Sequence, residues 1–299
     1  MRLALNKVME FTNHSVISQD GTKIGYRSIG RGPGIVLIQG AMGTVENFTE
    51  LARDLSDSYT VYVAERRGRG ISPLAFTKDY TIQKEVEDLD ALISRTQAQY
   101  LFGLSSGGII ALQVALEVPS LEKIAVYEPA IFVDGAPKAA LRKFNNYLVA
   151  GNTAGALVAA MKAAQMGPRL MNVLPSWLLI ALTGALMRQE AKNAKPSENS
   201  YFSSLAPTLQ YDFKIVDEMS DKWPTFKNIK KKVLLLGGSK SPKYLAKALD
   251  SLEQTILNAR RVVLKDLDHG SAWNYNKRHN PHGNPNRVAQ ELRQYFSNG

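Results

Sequence analysis

The chain has 299 residues, no cysteine, four histidines, and 37 Lys and Arg against 27 Asp and Glu, for a net charge of +10. Lack of cysteine excludes a disulfide scaffold, a cysteine nucleophile and thiolate-held zinc or iron–sulfur centres. At 44% hydrophobic and 21% charged residues, the composition is that of a folded globular protein with ample length for a large core.

The segment Met1–Lys7 holds too short an apolar run for a secretory leader, so a cytosol-like, cytoplasmic location is expected. His14–Ser18, Asp20-Gly21 and Thr22–Ile29 predict a β-hairpin, because Asp-Gly suits a tight primed turn. Ile35–Ile38 is an all-apolar run, the pattern of a strand buried on both faces. A helix is expected over 47–55 and another strand over Tyr59–Ala64. Ile82, Val86, Leu89 and Ile93 recur at helical spacing. Tyr100–Phe102 is a strand, Gly108–Glu117 a helix stopped near Pro119, and Lys123–Tyr127 a strand. This alternation predicts a mostly parallel sheet covered by helices on both faces.

From 134 to 226 the strands disappear. Helical segments over 137–150, 153–165 and 174–192 take their place, which reads as an inserted helical cap or lid. Strand and helix then resume, with Val233–Leu236 a strand, 242–257 a helix, Arg261–Leu264 a strand, and Val288, Leu292, Tyr295 and Phe296 marking a final amphipathic helix. The chain thus divides into core 1–133, cap 134–226 and core 227–299, one domain with a lid.

The positive charge is scattered. Its densest run, Lys227, Lys230, Lys231 and Lys232, precedes an apolar strand and reads as a solvated turn, so no nucleic-acid partner is expected. The most apolar stretch, Val173–Met187, is shorter than the roughly 20 residues of a membrane span and contains Pro175 and Gly184. No membrane span is expected, and a homodimer is compatible with the sequence.

Gly103-Leu104-Ser105-Ser106-Gly107 fits G-x-S-x-G between an apolar strand and a helix. So sharp a turn leaves no room for side chains at the two glycines. It lifts the Ser105 hydroxyl above the sheet, at a helix N-terminus that favours developing negative charge. A serine nucleophile needs a base, and histidine is the usual one near neutral pH. Of the four, His14 lies in the hairpin and His279 and His282 in a polar loop with no nearby carboxylates, so no metal site is expected. His269 follows the strand Val262–Leu264 by a short loop, at the sheet edge that carries Ser105. Acyl transfer also needs two N–H groups aimed at the oxyanion. One is expected from Ser106. The other is expected from Ala41 or the adjacent Gly40, in the turn after Ile35–Ile38.

At this point the chain resembles the α/β-hydrolase superfamily with a helical cap. The residues are Gln39–Gly43 where the family usually has His-Gly, Glu65–Ser72 where it often has Asp-x-Arg-Gly-x-Gly-x-Ser, the elbow Gly103–Gly107, and Asp268-His269. Family order puts an Asp after the strand 233–236. Here Gly237–Lys247 holds no carboxylate. Glu128 ends the strand after the nucleophile helix, and some lactonases similar to this chain at the Ser-Ser-Gly elbow carry their acid there. The expected triad is therefore Ser105, Glu128 and His269. Asp266, Asp268 and Asp212 are the alternative orienters, and Ser239 or Ser241 could act through a water.

These residues imply a serine hydrolase, a carboxylesterase or lactonase acting on an apolar, uncharged small molecule without a cofactor. Met42, Trp177 and Trp273 are expected at the substrate pocket, and the cap, which holds Trp177 with Met161, Met166, Met171 and Met187, is expected to supply an apolar wall. Two rival readings remain: a small-molecule binding protein of this fold with weak or no turnover, and a cofactor-free lyase.

Overall fold

The computed structural model describes residues 9–166, 173–193, 204–277 and 279–297. Met1–Lys7 and Met171 lie outside them. Strand β1 (Thr12–Ile17) pairs antiparallel with β2 (Lys23–Gly30). Gly21 takes the positive φ, 84°, that the hairpin turn demands. β2 pairs antiparallel with β4 (Thr60–Ala64), and β4 runs parallel to β3 (Gly34–Ile38). The remaining strands, β5 (Tyr100–Leu104), β6 (Lys123–Tyr127), β7 (Lys232–Gly238) and β8 (Ala259–Leu264), are all parallel. Among the described residues they form one eight-stranded sheet in the order β1-β2-β4-β3-β5-β6-β7-β8.

Parallel neighbours need long crossovers, and the crossovers supply helices to both faces. One face carries α1 (Thr49–Leu55), entered through a 3₁₀ turn at Val45–Phe48, and α9 (Pro285–Ser297). The other carries α2 (Ile82–Thr96), α3 (Ser106–Glu117) and α8 (Lys243–Thr255). β5 and β6 are buried along their whole length, which explains their near-continuous apolar sequence. Each large apolar side chain so buried contributes about 1.5–3 kcal/mol. Lys123 is the charged member of β6. Its ammonium donates to the carbonyls of Tyr295 and Phe296 in the last turn of α9, where a cation also meets the negative end of the helix dipole.

Between β6 and β7 lie α4 (Lys138–Val149), α5 (Thr153–Ala163), α6 (Ser176–Asn193) and α7 (Leu209–Met219). The Asn152 side chain caps α5 by accepting the Gly155 N–H at 2.8 Å. α4 and α5 share a small apolar cluster built on Phe144, Ala156 and Leu157, against which Ala41 and Met42 pack. Leu179 of α6 meets Val158 of α5. Helix α7 is absent from the sequence expectations. It behaves differently from the other three, because Tyr211, Ile215, Val216 and Met219 join the core beneath the sheet. No helix among the described residues is long and apolar enough to cross a membrane.

Candidate active site

Ser105 sits between β5 and α3 with φ 57° and ψ −120°. A non-glycine residue in such a conformation costs of order 1–3 kcal/mol and persists only if its surroundings hold it. Here the Ser105 N–H donates to the Tyr127 carbonyl at 3.0 Å, and its carbonyl accepts from Gly108, Ile109 and Ala130. The flanking glycines are sterically required. A Cβ on Gly107 would lie 2.5 Å from the Gln39 carbonyl oxygen, and one on Gly103 would overlap the Gly107 carbonyl.

Gly40 closes on the same residue from β3. A Cβ there would stand 2.7 Å from Ser105 Cβ and 3.4 Å from its hydroxyl oxygen. The turn from Gly40 to Gly43 is tied by the Gly43 N–H to the Gly40 carbonyl at 3.2 Å, with Met42 at φ 61°. Among the described residues the Ala41 N–H donates no backbone hydrogen bond. Ser106 is the first residue of α3, so its N–H has no intrahelical acceptor. Trp273 stands beside this turn, its ring 3.2 Å from a Cβ built on Gly43. Met42 packs on the α4–α5 cluster. Trp177 lies in the first turn of α6 and is 70% exposed.

Glu128 and His269 meet. His269 Nδ1 is 2.8 Å from Glu128 Oε2, and the carboxylate side chain is 1% exposed against 15% for the imidazole. The second carboxylate oxygen accepts the Gly238 N–H at 2.6 Å. Glu128 has φ 47°, and its own N–H donates to the Leu236 carbonyl, so the residue is bent out of β6 toward the end of β7. The glycines of β7 make the space. A Cβ on Gly237 would lie 3.2 Å from Glu128 Oε1, and one on Gly238 would overlap the Leu267 carbonyl. Gly237 thus leaves room for the Glu128 carboxylate, and Gly238 for the backbone of the loop that leads to His269. Behind His269, the Tyr127 hydroxyl donates to the Asp268 carbonyl at 2.8 Å and anchors the loop.

The alternative carboxylates are engaged elsewhere, as is Ser239, while the buried Ser241 hydroxyl has no partner among the described residues. Asp268 accepts from the Gly270 N–H and the Ser271 hydroxyl. Asp266 is exposed and paired with Lys240, and the Ser239 hydroxyl accepts the Asp266 N–H. Asp212 lies in a buried ionic cluster. Its Oδ1 accepts from Arg66 Nη1 at 2.5 Å and from the Ser106 hydroxyl at 2.6 Å, and its Oδ2 from Arg69 Nη2 at 2.7 Å. Burial pushes the Asp212 carboxyl up, but the Arg69 and Arg66 charges and these hydrogen bonds outweigh it and hold it below the usual range. Arg66 also pairs with Glu85, and Arg67 with Asp88. Nearby Glu65 accepts the Val45 N–H, and burial raises its pKa to about 7 against the pull of Arg69.

The alpha/beta hydrolase family model matches residues 35–291, from β3 into α9. The chain belongs to the alpha/beta hydrolase family. An alpha/beta hydrolase from Sphaerobacter thermophilus DSM 20745 superposes with a TM-score of 0.73 at 28% identity, over 95% of this chain and all of that one. The enol-lactonase from Burkholderia xenovorans LB400 shares the fold with a TM-score of 0.66 at 20% identity, over 95% and 100% of the two chains. In sequence, the uncharacterized hydrolase YraK of Bacillus subtilis (strain 168) is 30% identical over 123 residues, which is 40% of this chain and 45% of that relative. Membership in this family supports hydrolase chemistry. Ser105 and Glu128 follow β5 and β6 at the carboxyl edge of the sheet, and His269 is held by Glu128.

Proposed function

We propose that this α/β hydrolase cleaves an ester or lactone bond of an apolar, uncharged small molecule through an acyl-enzyme. The observation that carries the reading is the 2.8 Å contact between His269 Nδ1 and the buried Glu128 carboxylate. It supplies the acid that the segment after β7 lacks, since a triad is defined by geometry and not by chain position.

Glu128 accepts the Nδ1–H of His269, which fixes the tautomer with Nε2 free as base. His269 takes the Ser105 proton as the hydroxyl attacks the carbonyl carbon. The oxyanion is held by the N–H groups of Ser106 and of Ala41 or Gly40. His269 then gives its proton to the leaving alkoxide, and a water activated by the same Nε2 releases the acid. Ala41 and Met42, packed on the apolar cluster of α4 and α5, and Trp273 beside Gly43 support an apolar substrate. Residues 134–226 act as the cap over that substrate, α7 being the part rooted in the core. The lactonase likeness adds a cyclic ester to the candidate substrates.

The test is hydrolysis of a panel of p-nitrophenyl esters and aliphatic lactones by the wild-type protein and Ser105→Ala. Turnover lost in the variant supports the reading. Equal rates in both, or binding without turnover in either, favours a binding protein of this fold.

A further inference from the structure

The carboxylate of Asp212 has no part in the proposed chemistry, yet α7 delivers it to the elbow from 106 residues further along the chain. Its two oxygens face the two expected arms of the oxyanion hole. Oδ1 accepts the Ser106 hydroxyl, and Arg66 Nη1 donates to the same hydroxyl oxygen at 3.1 Å. This fixes the residue whose N–H is the first donor. Oδ2 accepts from Arg69 Nη2, and Nη1 of that guanidinium donates to the carbonyls of Gly40 at 2.7 Å and Gly43 at 2.9 Å. Those two carbonyls bracket Ala41, one of the two candidates for the second donor. Arg66, Arg69, Ser106 and Asp212 are each no more than 2% exposed.

We propose that Asp212 is a positioning residue that sets the spacing of the oxyanion hole, by holding the nucleophile elbow through Ser106 and the Gly40–Gly43 turn through Arg69. The inference rests on the serine hydrolase reading above. Each peptide carbonyl fixed by Arg69 fixes the plane of the peptide that follows it, so the grip on the Gly40 carbonyl orients the Ala41 N–H directly. A fixed charge pair does this better than neutral groups. It holds in a site shielded from water, and the Asp212 carboxylate is itself balanced by two guanidinium groups. The tie also connects the hole to α7, and hence to the chain that returns from the region over the site. The arrangement serves the transition state and touches no part of a ground-state substrate, so its loss is expected in kcat and not in KM.

The experiment compares wild type, Asp212→Asn and Ser106→Ala on one p-nitrophenyl ester. It also measures inhibition by an alkyl boronic acid, whose tetrahedral adduct on Ser105 mimics the transition state, and binding of the product carboxylic acid. Displacing a donor by an ångström or less costs about 100-fold. Asp212→Asn is therefore expected to lose about that factor in kcat and in boronate affinity, while KM and product affinity stay within about threefold. Ser106→Ala, which removes one arm's hydroxyl and leaves no charge unpaired, is expected to lose about tenfold in the same two quantities. A folded Asp212→Asn protein with wild-type kcat and boronate affinity, or one whose loss lies wholly in KM, overturns the inference. If Asp212→Asn does not fold, Ser106→Ala decides, and wild-type values there overturn it. Failure of the hydrolase reading looks different, since the wild-type protein itself then turns over no ester and takes up no boronate.

Discussion

Replacing Glu128 by glutamine changes one oxygen for an amide nitrogen in a site where both oxygens are occupied. Oε1 accepts the Gly238 N–H at 2.6 Å and Oε2 meets His269 Nδ1 at 2.8 Å. The amide has one acceptor to serve both contacts. If its oxygen faces Gly238, its NH₂ donates to Nδ1, which forces the proton onto Nε2 and removes the base. If its oxygen faces His269, the NH₂ opposes the Gly238 N–H, two donors in a buried space, at a cost of about 1–3 kcal/mol. The first arrangement is therefore favoured, and it is the catalytically wrong tautomer. The expected loss in kcat is about 10³–10⁴-fold, or roughly 4–5.5 kcal/mol of barrier. Steady-state hydrolysis of a p-nitrophenyl ester measures it, with near-UV circular dichroism to show that the fold survives. A folded Glu128→Gln protein within about threefold of the wild-type kcat refutes the assignment of the acid.

Two further predictions concern the frame around the site. Gly107→Ala places a Cβ 2.5 Å from the Gln39 carbonyl and 2.7 Å from that of Ile38, both backbone atoms of a buried strand end. It is expected to lower stability by about 1–3 kcal/mol in urea denaturation, and an unchanged midpoint contradicts the packing described. Burial raises the Glu65 pKa to about 7 from its ordinary 4.5. The folded protein therefore binds this proton more tightly than the unfolded chain, and stability falls as pH rises from about 4.5 to 7, by about 1.4 kcal/mol per unit at most. Glu65→Gln removes that slope and raises the melting temperature at pH 8; parallel pH profiles for the two proteins contradict it.

Much of the fold could be read from local patterns. The short apolar runs at Ile35–Ile38 and Val233–Leu236 mark strands buried on both faces, and they occupy β3 and β7. The G-x-S-x-G turn was legible because its chemistry is contained in five consecutive residues. Glu128 is implied by the resemblance to lactonases that carry their acid after this strand, while the room that Gly237 leaves for its carboxylate depends on contacts between β6 and β7 that no local pattern displays. Helix α7 is not distinguished by its sequence, because its stripe of Tyr211, Ile215, Val216 and Met219 is short and follows a long helical region. The cluster of Arg66, Arg69 and Asp212 was illegible for a different reason. Its partners lie 143 and 146 residues apart in the chain, and a charged run near a loop ordinarily signals solvent.

The central claim is that Ser105 is the nucleophile, and covalent labelling tests it most directly. Intact-mass and peptide mass spectrometry after treatment with a fluorophosphonate should find a single adduct on the peptide containing Ser105, absent in Ser105→Ala and strongly slowed in His269→Ala. A wild-type protein that stays unlabelled, or an adduct on any other residue that persists in Ser105→Ala, contradicts the account.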